Sequence, residues 1–272
     1  MMTDSLLGSI LKYSKFYKLG VTILLDLLII CTFGFLAAAV DAIAGGGGLI
    51  SLPALLMVGV PPHLALGTNK FAASLASLNS SITFARSGKV HFPLVRWQIP
   101  FTLSGAFLGV WAVLSVSSAF LNKAVLVLIL LVGIYTMVHK TLGMENKFKG
   151  LDSSNIVLGC LFALALGFYD GFFGPGTGSF LIFSFIALFG FDFVVASANS
   201  KVLNFTSNFA SLLLFAWNGK ILLSYGIPMA IFMILGSYIG TRLAIRRGAE
   251  LVKPIFIIMS LLVAAKLIYH YL

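Results

Sequence analysis

The stretch DAIAGGGGLISLPALLMVGVPPHLALGTNK, residues 41–70, decides the fold of this chain. Its four glycines are followed by an apolar piece of 11 residues, Leu49 to Gly59, which ends before a pair of prolines. As a helix, that piece would extend about 17 Å at 1.5 Å per residue, too short to cross about 30 Å of hydrocarbon. A second piece of the same length, Phe180 to Gly190, follows the glycine-rich run GPGTG at residues 174–178. The sequence therefore predicts two short helices that begin at glycine breaks.

The whole chain has the composition of a multispan membrane protein. Of its 272 residues, 60% are hydrophobic and 10% are charged, and its mean hydropathy of +1.06 is far outside the range of soluble domains. The uncharged runs between Arg96 and Lys123 and between Lys220 and Arg242 are each long enough to cross a bilayer. We predict an all-α membrane protein with two short broken helices and eight full-length transmembrane helices, at residues 20–43, 63–86, 92–116, 121–139, 154–173, 193–217, 221–243 and 250–270.

Charge and motifs exclude other classes of protein. The net charge of +10 would indicate a nucleic-acid partner if the cations shared a polar face, but they lie in short breaks between apolar runs. The lipid bilayer is therefore the expected partner, with no nucleic acid. Cys31 and Cys160 lie within apolar runs, where cysteine behaves as a small hydrophobe, and the four histidines lack metal-ligand spacing. We expect no metal, no cofactor and no enzymatic activity.

Two halves of the chain match at a constant offset of 131 residues. The matches fall on residue types that apolar composition alone does not make recur, because glycine is a backbone requirement and lysine is costly in lipid. We predict a basic leader at residues 1–19, a first repeat at 20–139, a polar linker at 140–153 and a second repeat at 154–272. The matched pairs include Gly45 with Gly176, Gly47 with Gly178, Gly59 with Gly190, Lys70 with Lys201, Gly105 with Gly236, and Gly109 with Gly240.

The basic residues indicate how the two repeats are oriented. If both short pieces cross the membrane, ten basic residues lie on one side and two on the other, with the leader set aside. If both pieces re-enter instead, the split is seven to five, so the positive-inside rule favours crossing. Five segments in each half is an odd number, and the repeats are then inverted.

Lys70 and Lys201 lie near the starts of two predicted spans. A lysine at bilayer depth costs about 2.5–3.5 kcal/mol on insertion scales, so its presence indicates a partner or a water-lined cavity. The alternative is that each lysine reaches the interface from near a helix end. Ser200, Asn204 and Asn208 share a helical stripe with the second lysine, although such residues can also join helices without touching substrate. We predict a substrate site formed by Lys70, Lys201, Thr68, Asn69, Ser200, Asn204 and Asn208 with Gly46, Gly47, Gly176 and Gly178.

The glycine runs predict broken helices at depth in the membrane. Discontinuous helices at corresponding positions of two repeats mark the binding site of a transporter, and their N-termini favour anions. The alternative is close helix packing, which suits the pairs Gly105/Gly109 and Gly236/Gly240 better than the runs. Asp41 and Asp170 lie just before the two runs. Each could balance a lysine, carry a coupling proton or cap the helix that follows.

Three stretches resemble one family of membrane transporters. Residues 41–70, GFYDGFFGPGTGSF at 167–180 and SANSKVLNFTSN at 197–208 are similar to the sulfite exporter TauE/SafE family, above all its bacterial inner-membrane branch of transporters without a known substrate. The resemblance covers nearly the whole chain after the first 20 or so residues. It implies a multi-pass secondary carrier in the bacterial plasma membrane for sulfite, sulfonates or other small organosulfur anions. The family's recurrent motif residues fall here on Asp41, Gly45 to Gly48, Pro53, Thr68, Asn69 and Lys70, and on Asp170, Gly171, Gly174, Pro175, Gly178, Lys201, Asn204 and Asn208.

The leading hypothesis from the sequence is an alternating-access carrier that holds a small anion between the two lysines. No ATP-binding motif is present in the sequence, so a gradient would supply the energy. The alternative is a passive anion channel lined by the same residues. A membrane enzyme or a scaffold is a third class, disfavoured by the missing catalytic motifs and by the paired lysines.

Overall fold

The computed structural model describes residues 2–117, 120, 147–148 and 150–247, with side-chain surroundings from Ile23 onward. These residues form eight α-helices and no strand. The helices are α1 (Met2–Ala44), α2 (Gly48–Met57), α3 (Pro62–Arg86), α4 (Phe92–Leu114), α5 (Ser153–Phe172), α6 (Thr177–Phe189), α7 (Phe193–Trp217) and α8 (Leu223–Arg247).

The helix bounds confirm the all-helical prediction. Six predicted full-length spans fall on α1, α3, α4, α5, α7 and α8, while the predicted spans at 121–139 and 250–270 lie outside the described residues. The short pieces form α2 and α6, which start earlier than predicted because the last glycines of each run already belong to the helix. Four described segments are long and apolar enough to cross a membrane: Ile23–Ala44 of α1, α4, α5 and α8. The helices α3 and α7 match them in length but carry more polar side chains, most of them buried.

Glycines bring helices of the two predicted halves into backbone contact. A Cβ on Gly105 or Gly109 of α4 would collide with the carbonyl of Leu164 or Phe168 on α5. At the positions offset by 131 residues, Gly236 and Gly240 of α8 lie in the same way against Phe35 and Ala39 of α1. Both contacts advance along the two chains together, so each pair of helices is parallel. These four glycines have the packing role that their spacing suggests.

A second pair of contacts is also mirrored between the halves. The Thr68 hydroxyl accepts a hydrogen bond of 2.9 Å from the Leu222 N–H, next to the start of α8. At the offset positions, the Asn199 amide oxygen accepts one of 2.7 Å from the His91 N–H, next to the start of α4. Each bond joins the first part of α3 or α7 to the start of a helix from the other half.

The hydrogen bonds of α3 give the directions of its neighbours. Asn79 bonds to Ser237 and Ser80 to Thr241, so α8 runs parallel to α3. By contrast, Lys70 bonds to Asn208 while Ser81 bonds to the carbonyl of Lys201, so α7 runs antiparallel to α3. The helices α3 and α8 therefore finish at one end of the bundle, which we call the basic end because Arg86, Arg246 and Arg247 lie in their last turns.

Two apolar clusters fill the two ends of the bundle. One contains Phe84, Leu94 and Phe185 near the basic end, and the other contains Leu66, Val113 and Phe215 near the opposite end. The polar residues of α3 and α7 lie between these clusters. The core thus encloses a polar layer in the middle of the bundle.

Candidate functional site

Lys70 is paired in the polar layer with residues of the other half. Its Nζ lies 2.8 Å from Asp170 Oδ2 near the end of α5, and it donates a hydrogen bond of 3.0 Å to Asn208 Oδ1 on α7. The side chains of Lys70 and Asp170 are each 2% exposed. An ion pair with a further hydrogen bond offsets part of the free energy of burying both charges.

Lys201 makes the corresponding pair in the opposite sense. Its Nζ lies 2.6 Å from Asp41 Oδ2 near the end of α1, and the other carboxylate oxygen accepts a hydrogen bond of 3.1 Å from the Gly47 N–H. Lys201 is fully buried, whereas Asp41 is 25% exposed. Each lysine therefore pairs with the acid of the other half. Neither lysine reaches the interface, so the alternative of two snorkelling side chains is wrong.

The two glycine runs meet in the centre of the protein. Gly45 has a φ of +74°, and a Cβ there would collide with the backbone of Gly178 and Ser179. The Ser179 hydroxyl donates to the Ala44 carbonyl at 3.1 Å, and the Ser200 hydroxyl donates to the Gly178 carbonyl at 3.1 Å. A side chain at either glycine would separate the runs. Their close approach places the first turns of α2 and α6 beside the ion pairs.

A partly enclosed cavity of about 440 Å³, its open mouth included, lies at this junction. Its wall combines an ammonium group, two carboxylates, three amides and the backbone of both glycine runs. The lining residues are Asp41, Gly46, Gly47, Gly48, Ser51, Asn69, Lys70, Ala73, Ala76, Asp170, Gly174, Gly176, Gly178, Asn204, Asn208 and Met233.

Most of the residues predicted from the sequence lie on this wall. Lys70, Asn69, Asn204 and Asn208 line it, as do both aspartates and Gly46, Gly47, Gly176 and Gly178. Three predicted residues do not: Thr68 accepts the Leu222 N–H, Ser200 bonds to Gly178, and Lys201 lies behind Asp41. The structure adds Ser51, Ala73, Ala76 and Met233 together with Gly48 and Gly174, and only these two glycines carried a sequence signal, since they belong to the runs.

Comparison with known proteins places this architecture in a family. The family model described as sulfite exporter TauE/SafE matches residues 30–267. A probable membrane transporter protein of Haemophilus influenzae is 42% identical over 246 residues, 90% of this chain and 96% of that protein. The probable membrane transporter protein YfcA of Escherichia coli K12 is 38% identical over 237 residues, 86% of each chain.

More distant relatives extend beyond bacteria. The sulfite exporter TauE/SafE family protein 3 of Arabidopsis thaliana is 28% identical over 142 residues, 46% of this chain and 30% of that protein. No solved structure matches the chain significantly. With four apolar helices of spanning length and two bacterial relatives named as membrane transporters that match most of its length, the chain belongs to the sulfite exporter TauE/SafE family of membrane transporters.

Proposed function

We propose that this protein is a secondary transporter that moves a small anion across the bacterial plasma membrane by alternating access. Sulfite, a sulfonate or a related organosulfur anion is the proposed substrate class. One observation carries the proposal: the Lys70 ammonium, three asparagine amides and the starts of two short helices converge on a single cavity. Groups of this kind bind oxyanions, because each offers N–H donors and the helix N-termini add partial positive charge.

The geometry of the two short helices supports an anion as the cargo. The helix α2 begins at Gly48 and α6 at Thr177, and both of their preceding glycine runs contribute to the cavity wall. Their first-turn N–H groups have no partner one turn earlier in the helix, which makes them available to a ligand. The side chains of Asn204 and Asn208 approach the same space from α7.

The arrangement of the helices supports two inverted repeats. The corresponding helices α3 and α7 are antiparallel, and α1 and α4 lie parallel to α8 and α5, respectively. Because α8 runs parallel to α3, the arginines at the ends of both helices share the basic end. That agrees with the topology in which the short pieces cross and most of the basic residues lie on the cytoplasmic side. Rocking of inverted repeats about a central site is a common mechanism of secondary transport.

The apolar clusters favour a carrier over a channel. Phe84 and Phe185 near the basic end and Phe215 near the opposite end are buried on either side of the polar layer. Such layers oppose a continuous aqueous path. Counterflow separates the two mechanisms, because preloaded unlabelled substrate accelerates the uptake of labelled substrate by a carrier and not by an open pore.

The proposal is tested with purified protein in two steps. Thermal-shift measurements against sulfite, sulfate, thiosulfate, sulfonates and small carboxylates identify the anion, since a ligand of the folded state raises Tm. In proteoliposomes, counterflow of that labelled anion should be abolished in Lys70→Ala and in Lys201→Ala, whereas Lys89→Ala, an exposed lysine outside the cavity, should retain it. Gel filtration checks that each variant is folded. Unchanged flux in both lysine variants, or no anion that binds, would contradict the proposal.

A further inference from the structure

The two ion pairs occupy corresponding places in the sequence but differ in their access to the cavity. Asp170 and Lys70 are each 2% exposed, and both line the cavity. In the other pair, Asp41 is 25% exposed and lines the cavity, while Lys201 is fully buried behind it. Asp41 is therefore the more exposed of the two carboxylates, and the charge of its lysine partner is hidden from the cavity.

The charges of the four side chains balance before any ligand binds. Two ammonium groups and two carboxylates sum to zero, so a bound monoanion leaves one negative charge uncompensated between two apolar clusters. An uncompensated charge is disfavoured in a medium of low dielectric constant. Uptake of one proton by the cluster would restore neutrality.

We propose that Asp41 takes up one proton when the anion binds, so that the transporter couples the movement of one monoanion to the movement of one proton. This inference rests on the proposed function, and it assigns the proton to Asp41 rather than to Asp170. The proton comes from the water that faces the cavity and returns to water when the anion leaves on the other side.

The surroundings of Asp41 explain how one proton serves the anion. Its carboxylate faces Lys201 from α7, the Gly47 N–H at the start of α2, and, across the cavity, Lys70 on α3 and Asp170 on α5. Met233 is the lining residue from α8 and carries no charge. A proton on Asp41 Oδ2 replaces the ion pair with Lys201, so the cluster has a charge of +1 and the protonated oxygen can donate to the anion. The bound monoanion then brings the sum back to zero.

Asp170 is less suited to this role. Its carboxylate is almost completely buried, and it is the counter-charge of Lys70, whose Nζ also donates to Asn208. A proton there would leave Lys70 without its counter-charge, and would have to enter where almost no carboxylate surface is exposed.

Isothermal titration of the detergent-solubilised protein tests the assignment. The probes are methanesulfonate, sulfoacetate and sulfate, which stay ionised between pH 6 and 8, so that any proton that is taken up goes to the protein. In buffers of different ionisation enthalpy, the wild-type protein should take up about one proton for each monoanion bound. Its Kd should rise by up to about tenfold for each unit of pH, the limit for one linked proton.

The variants locate the proton. In Asp41→Asn, proton uptake and the pH dependence of Kd should both disappear. Asp26→Asn is the matched control, since Asp26 lies on the same helix but bonds to Tyr225 outside the cavity, and it should keep both. Wild-type binding without proton uptake would overturn the inference, even if Asp41→Asn failed to fold. Proton uptake that persists in Asp41→Asn, or that is lost in Asp170→Asn while binding remains, would also overturn it. Failure of every probe to bind would contradict the proposed function and remove the basis of the inference.

Discussion

At the scale of single residues, the buried lysines are stabilised by acids that the sequence did not assign to them. Lys70 and Lys201 could be singled out because an ammonium group in lipid requires a partner. Their crosswise pairing with Asp170 and Asp41 could not, because it depends on how the two halves pack. Thr68 also shows the limit of a motif, since its hydroxyl serves a backbone N–H beside α8 instead of the cavity.

The Lys70–Asp170 pair makes a prediction about stability. Replacing Lys70 alone with Met leaves a buried carboxylate without its counter-charge, which should destabilise the protein by about 3–5 kcal/mol. The double variant Lys70→Met with Asp170→Leu removes both charges, and its Tm in detergent should exceed that of either single variant. A double variant that melts below both would show that the pair is not held together by charge compensation.

At the scale of the elements, the short helices follow from the glycines that precede them. The run lengths and their recurrence predicted breaks before α2 and α6, and both breaks are present. The contact between the breaks was beyond prediction, because glycine has no side chain whose chemistry would identify a neighbour. Ala73, Ala76 and Met233 on the cavity wall escaped notice for a related reason, since apolar residues on a membrane helix look alike in sequence whatever they face.

Two glycines with similar backbone conformations provide a matched test of that contact. Gly45 and Gly59 have φ values of +74° and +79°, so alanine is strained at both. Only at Gly45 would the new methyl group collide with the other glycine run, since no heavy atom of the described structure lies within 4 Å of a Cβ on Gly59. Gly59→Ala should therefore cost about 1–3 kcal/mol of backbone strain, whereas Gly45→Ala should lower Tm much further and abolish anion binding. Equal effects would mean that the contact between the runs is unimportant.

At the scale of the whole molecule, aromatic residues mark two interfaces. Trp97 and Tyr238 lie towards the basic end, where Arg96 and Arg242 stack on their rings at 5.3 Å and 4.2 Å. Trp217, at the end of α7, lies at the opposite end and is almost fully exposed. Exposed tryptophan and tyrosine at both ends of a bundle are typical of membrane–water boundaries.

The directions of the helices predict which loops share a side of the membrane. Ser87 follows α3 at the basic end, and Asn218 follows α7 at the other end, and both are exposed. In intact spheroplasts, a membrane-impermeant thiol reagent should label Asn218→Cys, while Ser87→Cys should react only after permeabilisation. The native Cys31 and Cys160 are buried and serve as the background. Labelling of both positions from the same side would contradict the proposed topology.

The meeting of the two glycine runs limits how this protein can move. Gly45 and Gly178 touch through main-chain atoms, so there is no side chain between them that could rotate, compress or slide. A displacement of α2 must therefore push or pull α6, and the reverse. The two short helices would then shift in synchrony as one mechanical unit, and neither half of the protein could change its shape while the other stood still.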